Sequence, residues 1–147
     1  MSPEEPQGPE VELIRSAYAA WDFQDLGPFI EQIAEDAEWV PPSYAPEAGP
    51  HRGREAIKRG LESYREGFEE FRPVPQRIIR GGRPGRYLVL ATTFTRGKGS
   101  GVETTIDVGH VIDVREGKLA RLEVHPDLED AYRAAGLDPP AETRPAT

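Results

Sequence analysis

The sequence predicts an α+β fold in which helices cover one face of a curved, mostly antiparallel sheet. In the first half of the chain, apolar residues recur every three or four positions, as on the buried face of a helix. In the second half they recur at every second position, as in strands, and the turns GGRPG, GKGSG and EGK separate the segments. Helices grouped before strands favour an α+β arrangement over an alternating one.

Two helices are predicted at the start of the folded unit. The first ends near Trp21, because spacings of three and four place these residues on one face: Val11, Ile14, Tyr18 and Trp21. A short second helix follows, with Asp25 placed to cap it and Pro28 in its first turn, where proline is tolerated. Its apolar side consists of Phe29, Ile30 and Ile33.

A short strand and a long helix are predicted next. The strand runs from Ala37 to Val40 and stops at two prolines, which cannot donate to a sheet ladder. A proline-rich loop carries Tyr44 and His51, and loops of this length often border functional sites. After Gly53, helical spacing predicts one long amphipathic helix through Ile57, Leu61, Tyr64, Phe68 and Phe71.

Four strands and a last helix complete the predicted fold. The strands are residues 76–80, 87–96, 102–115 and 119–125. Asp127 is placed to cap the last helix, and Gly136 to end it. We expect a single folded domain over residues 11–137, flanked by two disordered Pro-rich tails, the acidic residues 1–10 and residues 138–147.

Composition excludes several classes of function. A formal charge of -8 disfavours binding to nucleic acid or an anionic membrane surface. The arginine-rich segment 72–86 lacks interleaved aromatic residues and is interpreted as a solvated hairpin. Without cysteine the chain has no disulfide and no thiol nucleophile. No apolar run is long enough to span a membrane, and a cytoplasmic location is expected.

The longest predicted strand places a histidine in an apolar row. Alternation puts His110 on one face with Ile106, Val108, Ile112 and Val114. An imidazole in apolar surroundings loses its charged form, and the neutral ring can donate and accept a proton. This placement indicates general acid/base chemistry, or a buried histidine that is hydrogen-bonded to a backbone carbonyl.

No metal site or nucleotide cofactor is predicted. The three histidines fall on different elements or faces, without a second ligand-type residue at a metal-binding spacing. The chain also has no glycine-rich phosphate loop between a strand and a helix.

Three segments together resemble the nuclear-transport-factor-two-like superfamily, in its SnoaL-like and ketosteroid-isomerase-like branch. They are WDFQDLGPFIEQIAEDAEWVPP, similar to the family's early helices and first strand; HRGREAI, similar to the entry into its long helix; and GSGVETTIDVGHVIDVREGKLARLEVHPDLEDAYRAAGL, similar to its last two strands and closing helix. The resemblance covers residues 11–137. It implies a conical barrel in which a curved, mostly antiparallel sheet wraps around helices and leaves an apolar pocket.

The resemblance also implies a homodimer formed through the outer sheet face, onto which Arg121, Glu123 and His125 alternate. Similar proteins include isomerases, polyketide cyclases, epoxide hydrolases and binding modules, so the fold alone does not assign a function. In the ketosteroid-isomerase-like pattern, His110 takes the position of the buried acid that hydrogen-bonds the oxyanion. The aspartate base of that pattern falls at Pro41.

Two known reactions of the family are therefore not expected from the same residues. The helical tyrosine of the ketosteroid-isomerase-like pattern falls at Ala17, beside Tyr18. The two aspartates and the arginine of limonene-epoxide-hydrolase-like enzymes have no counterpart at the inward strand positions, which are Val108, His110, Leu122 and Val124.

The expected site combines two catalytic residues, His110 and Tyr18, with a substrate-binding wall. That wall consists of Trp39, Tyr44, His51, Tyr64, Phe68, Leu90, Thr92, Phe94, Val108, Ile112, Leu122 and Val124. The leading hypothesis is a cofactor-independent enzyme that isomerises, cyclises or ring-opens a hydrophobic polyketide-, steroid- or terpenoid-like molecule by proton transfer. The alternative is a non-catalytic small-molecule-binding protein or a dimeric accessory protein of the same fold.

Overall fold

The computed structural model describes residues 5–42, 45 and 49–140. Over these residues the helices are α1 (Pro9–Ala20), α2 (Gly27–Ile30), α3 (Arg54–Glu62) and α4 (Leu128–Ala134), and a 3₁₀ turn, Ser63–Glu66, follows α3. The strands are β1 (Ile33–Val40), β2 (His51–Arg52), β3 (Phe68–Arg80), β4 (Arg86–Gly97), β5 (Glu103–Arg115) and β6 (Lys118–His125). Among the described residues, no helix is both long enough and apolar enough to cross a membrane.

One curved sheet holds all six strands in the order β2-β1-β6-β5-β4-β3. The predicted antiparallel meander is confirmed, because β3, β4, β5 and β6 each pair antiparallel with the next. β1 returns to lie parallel to β6, with Trp39 opposite Leu122. The α+β class is therefore confirmed, and the sheet curves without closing into a complete barrel.

Helices pack on both faces of this sheet. α1, α2 and α3 pack on the concave face, where they form the main hydrophobic core with β1 and the inward residues of β3 to β6. α4 packs on the opposite face, where Ala131 and Tyr132 meet Leu88 and Val111. Gly109 makes this approach possible, because a Cβ atom there would lie 2.3 Å from the Cβ atom of Ala131.

The ends of the first elements differ from the prediction. α1 begins at Pro9, two residues inside the segment assigned to the N-terminal tail. The cap of α2 is Leu26, although Asp25 Oδ1 still accepts from the backbone N–H of Gly27 at 3.3 Å. Ile33 belongs to β1, which starts four residues earlier than predicted, so its assignment to the short helix was wrong.

The prediction of one long helix through Phe71 was also wrong. Helical structure ends at Glu66, and Phe68 and Phe71 lie in β3. Two prolines, Pro73 and Pro75, concealed this strand in the sequence. They are tolerated because β3 is the edge strand of the sheet, where the missing N–H donors face no partner strand.

The other predicted elements are confirmed. β4, β5 and β6 each lie within one residue of the predicted bounds. Asp127 caps α4, since its Oδ1 accepts from the backbone N–H of Asp130 at 3.1 Å. Gly136 ends that helix with a left-handed φ of 81°.

The arginine-rich segment 72–86 covers most of β3, the turn that follows it and the first residue of β4. The guanidinium groups of Arg72 and Arg80 lie over the rings of Phe94 and Tyr87 respectively. Arg86 pairs with Asp113 at 2.7 Å. These arginines are thus partnered within the fold.

Charged side chains alternate onto the outer face of β6. Arg121 bonds to Glu38 and lies 2.7 Å from Glu123, and His125 lies 3.0 Å from the other oxygen of Glu123. The row therefore forms an ion-pair network on the face opposite the concave core.

Candidate active site

A cavity of about 340 Å³ lies between the concave face of the sheet and the helices α1 and α3. This volume falls within the range of small-molecule pockets. Among the described residues its wall is aromatic and aliphatic, with hydroxyl, imidazole and indole groups as its polar points and without a charged side chain of Asp, Glu, Lys or Arg.

Tyr18 and His110 meet at the cavity wall. The Tyr18 hydroxyl lies 2.5 Å from His110 Nδ1, and the two rings stack with centroids 5.9 Å apart. Buried Ile14, one turn earlier, fixes the face of α1 from which Tyr18 projects. His110 lies between Val108 and Ile112 on the inward face of β5.

Both groups are neutral near pH 7. The pKa of His110 is lowered to about 4, mainly by burial and to a smaller extent by the electrostatic effect of His125. Burial raises the pKa of Tyr18, because the phenolate would lose its hydration. The pair therefore holds two protons, one on the phenol and one on the imidazole.

These two protons allow two arrangements of the hydrogen bond. When the Tyr18 O–H donates to Nδ1, the outward groups are the Nε2–H donor of His110 and a lone pair on the Tyr18 oxygen. When Nδ1–H donates to the Tyr18 oxygen, the outward groups are the Tyr18 O–H donor and a lone pair on Nε2. In either arrangement the pair offers one donor and one acceptor.

Aromatic side chains line the same cavity as this pair. Tyr64 lies at its centre, with ring centroids 6.0 Å from Trp39 and 4.9 Å from Phe71. Phe71 contacts Phe68 at 5.6 Å, and the Trp21 indole N–H donates to the Phe71 carbonyl at 2.7 Å. Fixed rings of this kind suit a flat apolar ligand.

Most of the predicted site residues converge on the cavity. Tyr18 and His110 are joined by seven residues of the predicted wall: Trp39, Tyr64, Phe68, Val108, Ile112, Leu122 and Val124. Phe68 reaches it from β3 and not from a helix, because the chain reverses into the sheet at Gly67.

Five predicted wall residues are not placed there. Leu90, Thr92 and Phe94 lie on the opposite face of β4: Leu90 packs in the α4 cluster and Thr92 donates to Asp107 at 2.9 Å. His51 lies outside the lining and packs against Trp39, with ring centroids 5.0 Å apart. Tyr44 lies outside the described residues.

The register of β4 explains this correction. Val89 pairs with His110 and Thr93 with Ile106, so the inward residues of β4 are the odd-numbered ones: Val89, Ala91, Thr93 and Thr95. Leu88 and Val89 are both fully buried, one under α4 and one in the main core. Alternation alone cannot choose the cavity face of a strand that is buried on both sides.

Thr93 and Thr95 are therefore site residues that the sequence reasoning missed. Both are 4% exposed, and both line the cavity. The Thr95 hydroxyl lies 2.5 Å from the Thr104 hydroxyl on the neighbouring strand. The hairpin turn that fixes the β4–β5 register was the signal that could have identified them.

In the described part of the chain, no group of three or more His, Asp or Glu side chains is arranged so that it could hold a metal ion.

Comparison with known proteins places the chain in a family. Residues 14–122 match the model of the SnoaL-like domain. TerC, co-crystallised with polyporic acid, is 25% identical with a TM-score of 0.72, over 87% of this chain and 98% of TerC. A search of curated proteins gives no significant match.

Two further solved structures share the fold. A nuclear-transport-factor-two-like protein of unknown function from Burkholderia pseudomallei has 23% identity and a TM-score of 0.72, over 88% of this chain and 98% of its own. A protein from Catenulispora acidiphila with a ketosteroid isomerase-like fold, in complex with trimethylamine, has 18% identity and a TM-score of 0.68, over 91% of this chain and 98% of its own. Because the family model spans most of the chain and the fold agrees over nearly its whole length, this chain belongs to the SnoaL-like domain family, within the nuclear-transport-factor-two-like superfamily.

Proposed function

We propose that this chain binds a hydrophobic polyketide-, steroid- or terpenoid-like molecule and catalyses a proton transfer on it without a cofactor. The observation that carries the proposal is the 2.5 Å hydrogen bond between the Tyr18 hydroxyl and His110 Nδ1 at the wall of an apolar cavity. A neutral pair with one outward donor and one outward acceptor can act as acid and base together.

Enolisation of a bound ketone is the simplest reaction for this pair. His110 Nε2 takes a proton from the carbon beside the carbonyl, while the Tyr18 hydroxyl protonates the carbonyl oxygen. The C–H electron pair becomes the C=C bond, and the carbonyl π pair becomes the new O–H bond. Tyr18 recovers its proton from His110 Nδ1, so the pair ends neutral, in its other arrangement.

The reverse steps complete an isomerisation. For a β,γ-unsaturated ketone the enol is a dienol, and His110 Nε2–H gives its proton to the γ carbon, which leaves the C=C bond between the α and β carbons. Tyr18 transfers its own proton to Nδ1 as it takes the enol proton back, and the freed O–H electron pair restores the carbonyl. The pair then has its starting arrangement. Neither residue becomes charged in this cycle. The reaction therefore suits the cavity, whose wall contains no Asp, Glu, Lys or Arg among the described residues.

The comparison with TerC supports the class of ligand. TerC has 25% identity to this chain and was co-crystallised with polyporic acid. We therefore expect polyporic acid to raise the melting temperature of this protein by several degrees at saturating concentration. His110→Phe, which removes the polar point of β5, should reduce that shift.

Deuterium exchange tests the proton transfer itself. A bicyclic enolisable ketone, β-tetralone, is incubated with the protein in heavy water, and NMR follows deuterium incorporation beside the carbonyl. Tyr18→Phe and His110→Phe should each slow the catalysed exchange by roughly 10²-fold. Thr92→Val is the matched control, since Thr92 lies on the opposite sheet face and should leave the exchange rate unchanged. Exchange that is equally fast with wild type and His110→Phe would refute the proposal.

A second candidate is a non-catalytic binding protein. It is favoured by one observation, that no carboxylate of the described residues lines the cavity to partner His110 or to act as a general base. Binding of polyporic acid without any catalysed exchange would support this candidate against the enzyme.

A further inference from the structure

Thr93 carries a hydroxyl group inside the cavity that the proposed reaction does not use. The residue is 4% exposed and lines the cavity. Within the described part of the chain, no hydrogen bond reaches its hydroxyl, and that oxygen is not sealed off from the cavity. A hydroxyl that faces a cavity without a partner in the protein can donate a hydrogen bond to a bound ligand or accept one from it.

The neighbouring threonine is different. Thr95 lies two residues further along the same face and is equally buried, but its hydroxyl bonds to Thr104 at 2.5 Å. Of these two inward hydroxyls on β4, the one at Thr93 is therefore available to a ligand.

The distance from Thr93 to Tyr18 and His110 limits the length of a ligand that contacts both points. Thr93 pairs with Ile106, four residues before His110 on β5. Four residues of strand span about 13 Å, and the concave curvature of the sheet brings the inward side chains closer than that. The wall between these two points is apolar on β5, where Val108 faces the cavity.

The exposure of β5 indicates which end of the cavity is deeper. Ile106, beside Thr93, is 40% exposed, whereas Ile112, beyond His110, is 1% exposed. A ligand that reaches His110 with one end therefore places its other end near Thr93, toward solvent.

We infer that this site selects an elongated apolar molecule with an oxygen function at each end, one bound by Tyr18 and His110 and the other by the Thr93 hydroxyl. Thr93 is a specificity-determining residue in this assignment. The inference rests on the proposed function, because Tyr18 and His110 must hold the first oxygen.

The test compares ligands that differ only at the far end. The probes are para-phenylphenol, with one hydroxyl, and para,para′-biphenol, with a second hydroxyl at the opposite end. The para-terphenyl mono-ol and diol extend the series by one ring. Isothermal titration measures the dissociation constant of each probe with wild type, Thr93→Val, Thr93→Ser and Thr95→Val.

For at least one of the two probe lengths, biphenyl or terphenyl, we expect wild type to bind the diol about 10-fold more tightly than the mono-ol. About 5-fold of this comes from one hydrogen bond, and about twofold from the two equal ends of a symmetric diol. Thr93→Val should leave only the statistical twofold, because valine keeps the shape without the hydroxyl. Thr93→Ser should retain the preference, and so should Thr95→Val, which removes a hydroxyl that is already partnered.

Two results would overturn the inference. One is a wild-type preference no greater than twofold at both lengths, and the other is a full preference that survives in Thr93→Val. If Tyr18→Phe still weakens binding of the mono-ol in either case, only the role assigned to Thr93 is refuted. The proposed site at Tyr18 and His110 is then retained. If no probe binds wild type, this inference fails, whereas the proposed function is decided by the deuterium exchange of β-tetralone.

Discussion

The hydroxyl of Tyr18 and Nδ1 of His110, 92 residues apart in the chain, lie 2.5 Å from each other. Their hydrogen bond links α1 to the concave face of β5 at the wall of an apolar cavity. Each group is the hydrogen-bond partner of the other, in a part of the molecule where the surrounding side chains are mostly apolar. The two residues are therefore energetically coupled, so a substitution of either one should change the contribution of the other to stability.

The Tyr18–His110 pair should behave non-additively in unfolding. Tyr18→Phe leaves a ring nitrogen of His110 without its partner, and His110→Phe leaves the Tyr18 hydroxyl without its own, each at a cost of about 1–3 kcal/mol. The double variant leaves neither group stranded, so its loss should be clearly smaller than the sum. Urea unfolding of the four proteins measures this coupling. Losses that add within about 0.5 kcal/mol would show that the two side chains are independent.

Acid should destabilise the protein through His110. The pKa of His110 is about 4 in the folded protein and near 6.5 when unfolded, so between these values the unfolded chain binds more protons. Stability from this group is complete above pH 6.5 and falls as the pH drops, by about 3 kcal/mol at pH 4. Chemical unfolding at a series of pH values should show this fall in the free energy of unfolding for wild type. In His110→Phe, the part of the fall that His110 causes should be absent. Parallel slopes in the two proteins would contradict the assignment.

Gly60 should be required for the position of Trp39. A Cβ atom at Gly60 would lie 2.7 Å from Trp39 Cζ3 and 3.1 Å from His51 Cε1. Gly60→Ala should gain about 1 kcal/mol in helix propensity but lose about 1–3 kcal/mol to this clash. The net change is no gain or a loss, with a shifted tryptophan fluorescence as Trp39 moves. The control is Gly67→Ala, which meets nothing within 4 Å and should fold with unchanged fluorescence.

Gly109 should be equally required for the docking of α4. Gly109→Ala brings a methyl group to 2.3 Å from the Cβ atom of Ala131, and we expect a loss of about 1–3 kcal/mol. Removing the opposing methyl group in the double variant Gly109→Ala with Ala131→Gly should relieve the clash. Thermal unfolding should then place the double variant near Ala131→Gly alone. A double variant that is as unstable as the sum of both losses would exclude this contact as the cause.

The local elements of this fold were largely predictable because their signals are short-range. Asp127 and Gly136 mark the ends of α4 through hydrogen bonds and backbone conformations that involve only neighbouring residues. The β4–β5 and β5–β6 turns were likewise predictable from their glycines. The long helix failed at Phe68 and Phe71, where tertiary pairing with β4 outweighs a helical apolar spacing.

The sequence by itself determined that His110 lies in an apolar row and that Tyr18 lies on the buried side of a helix, since both conclusions follow from periodicity along one element. Only the tertiary structure decided that the two meet, because contact across 92 residues depends on how α1 crosses the sheet. It also decided that Thr93, and not Thr92, faces the cavity. β4 is buried on both faces, so its alternation fits either orientation until pairing with β5 fixes one.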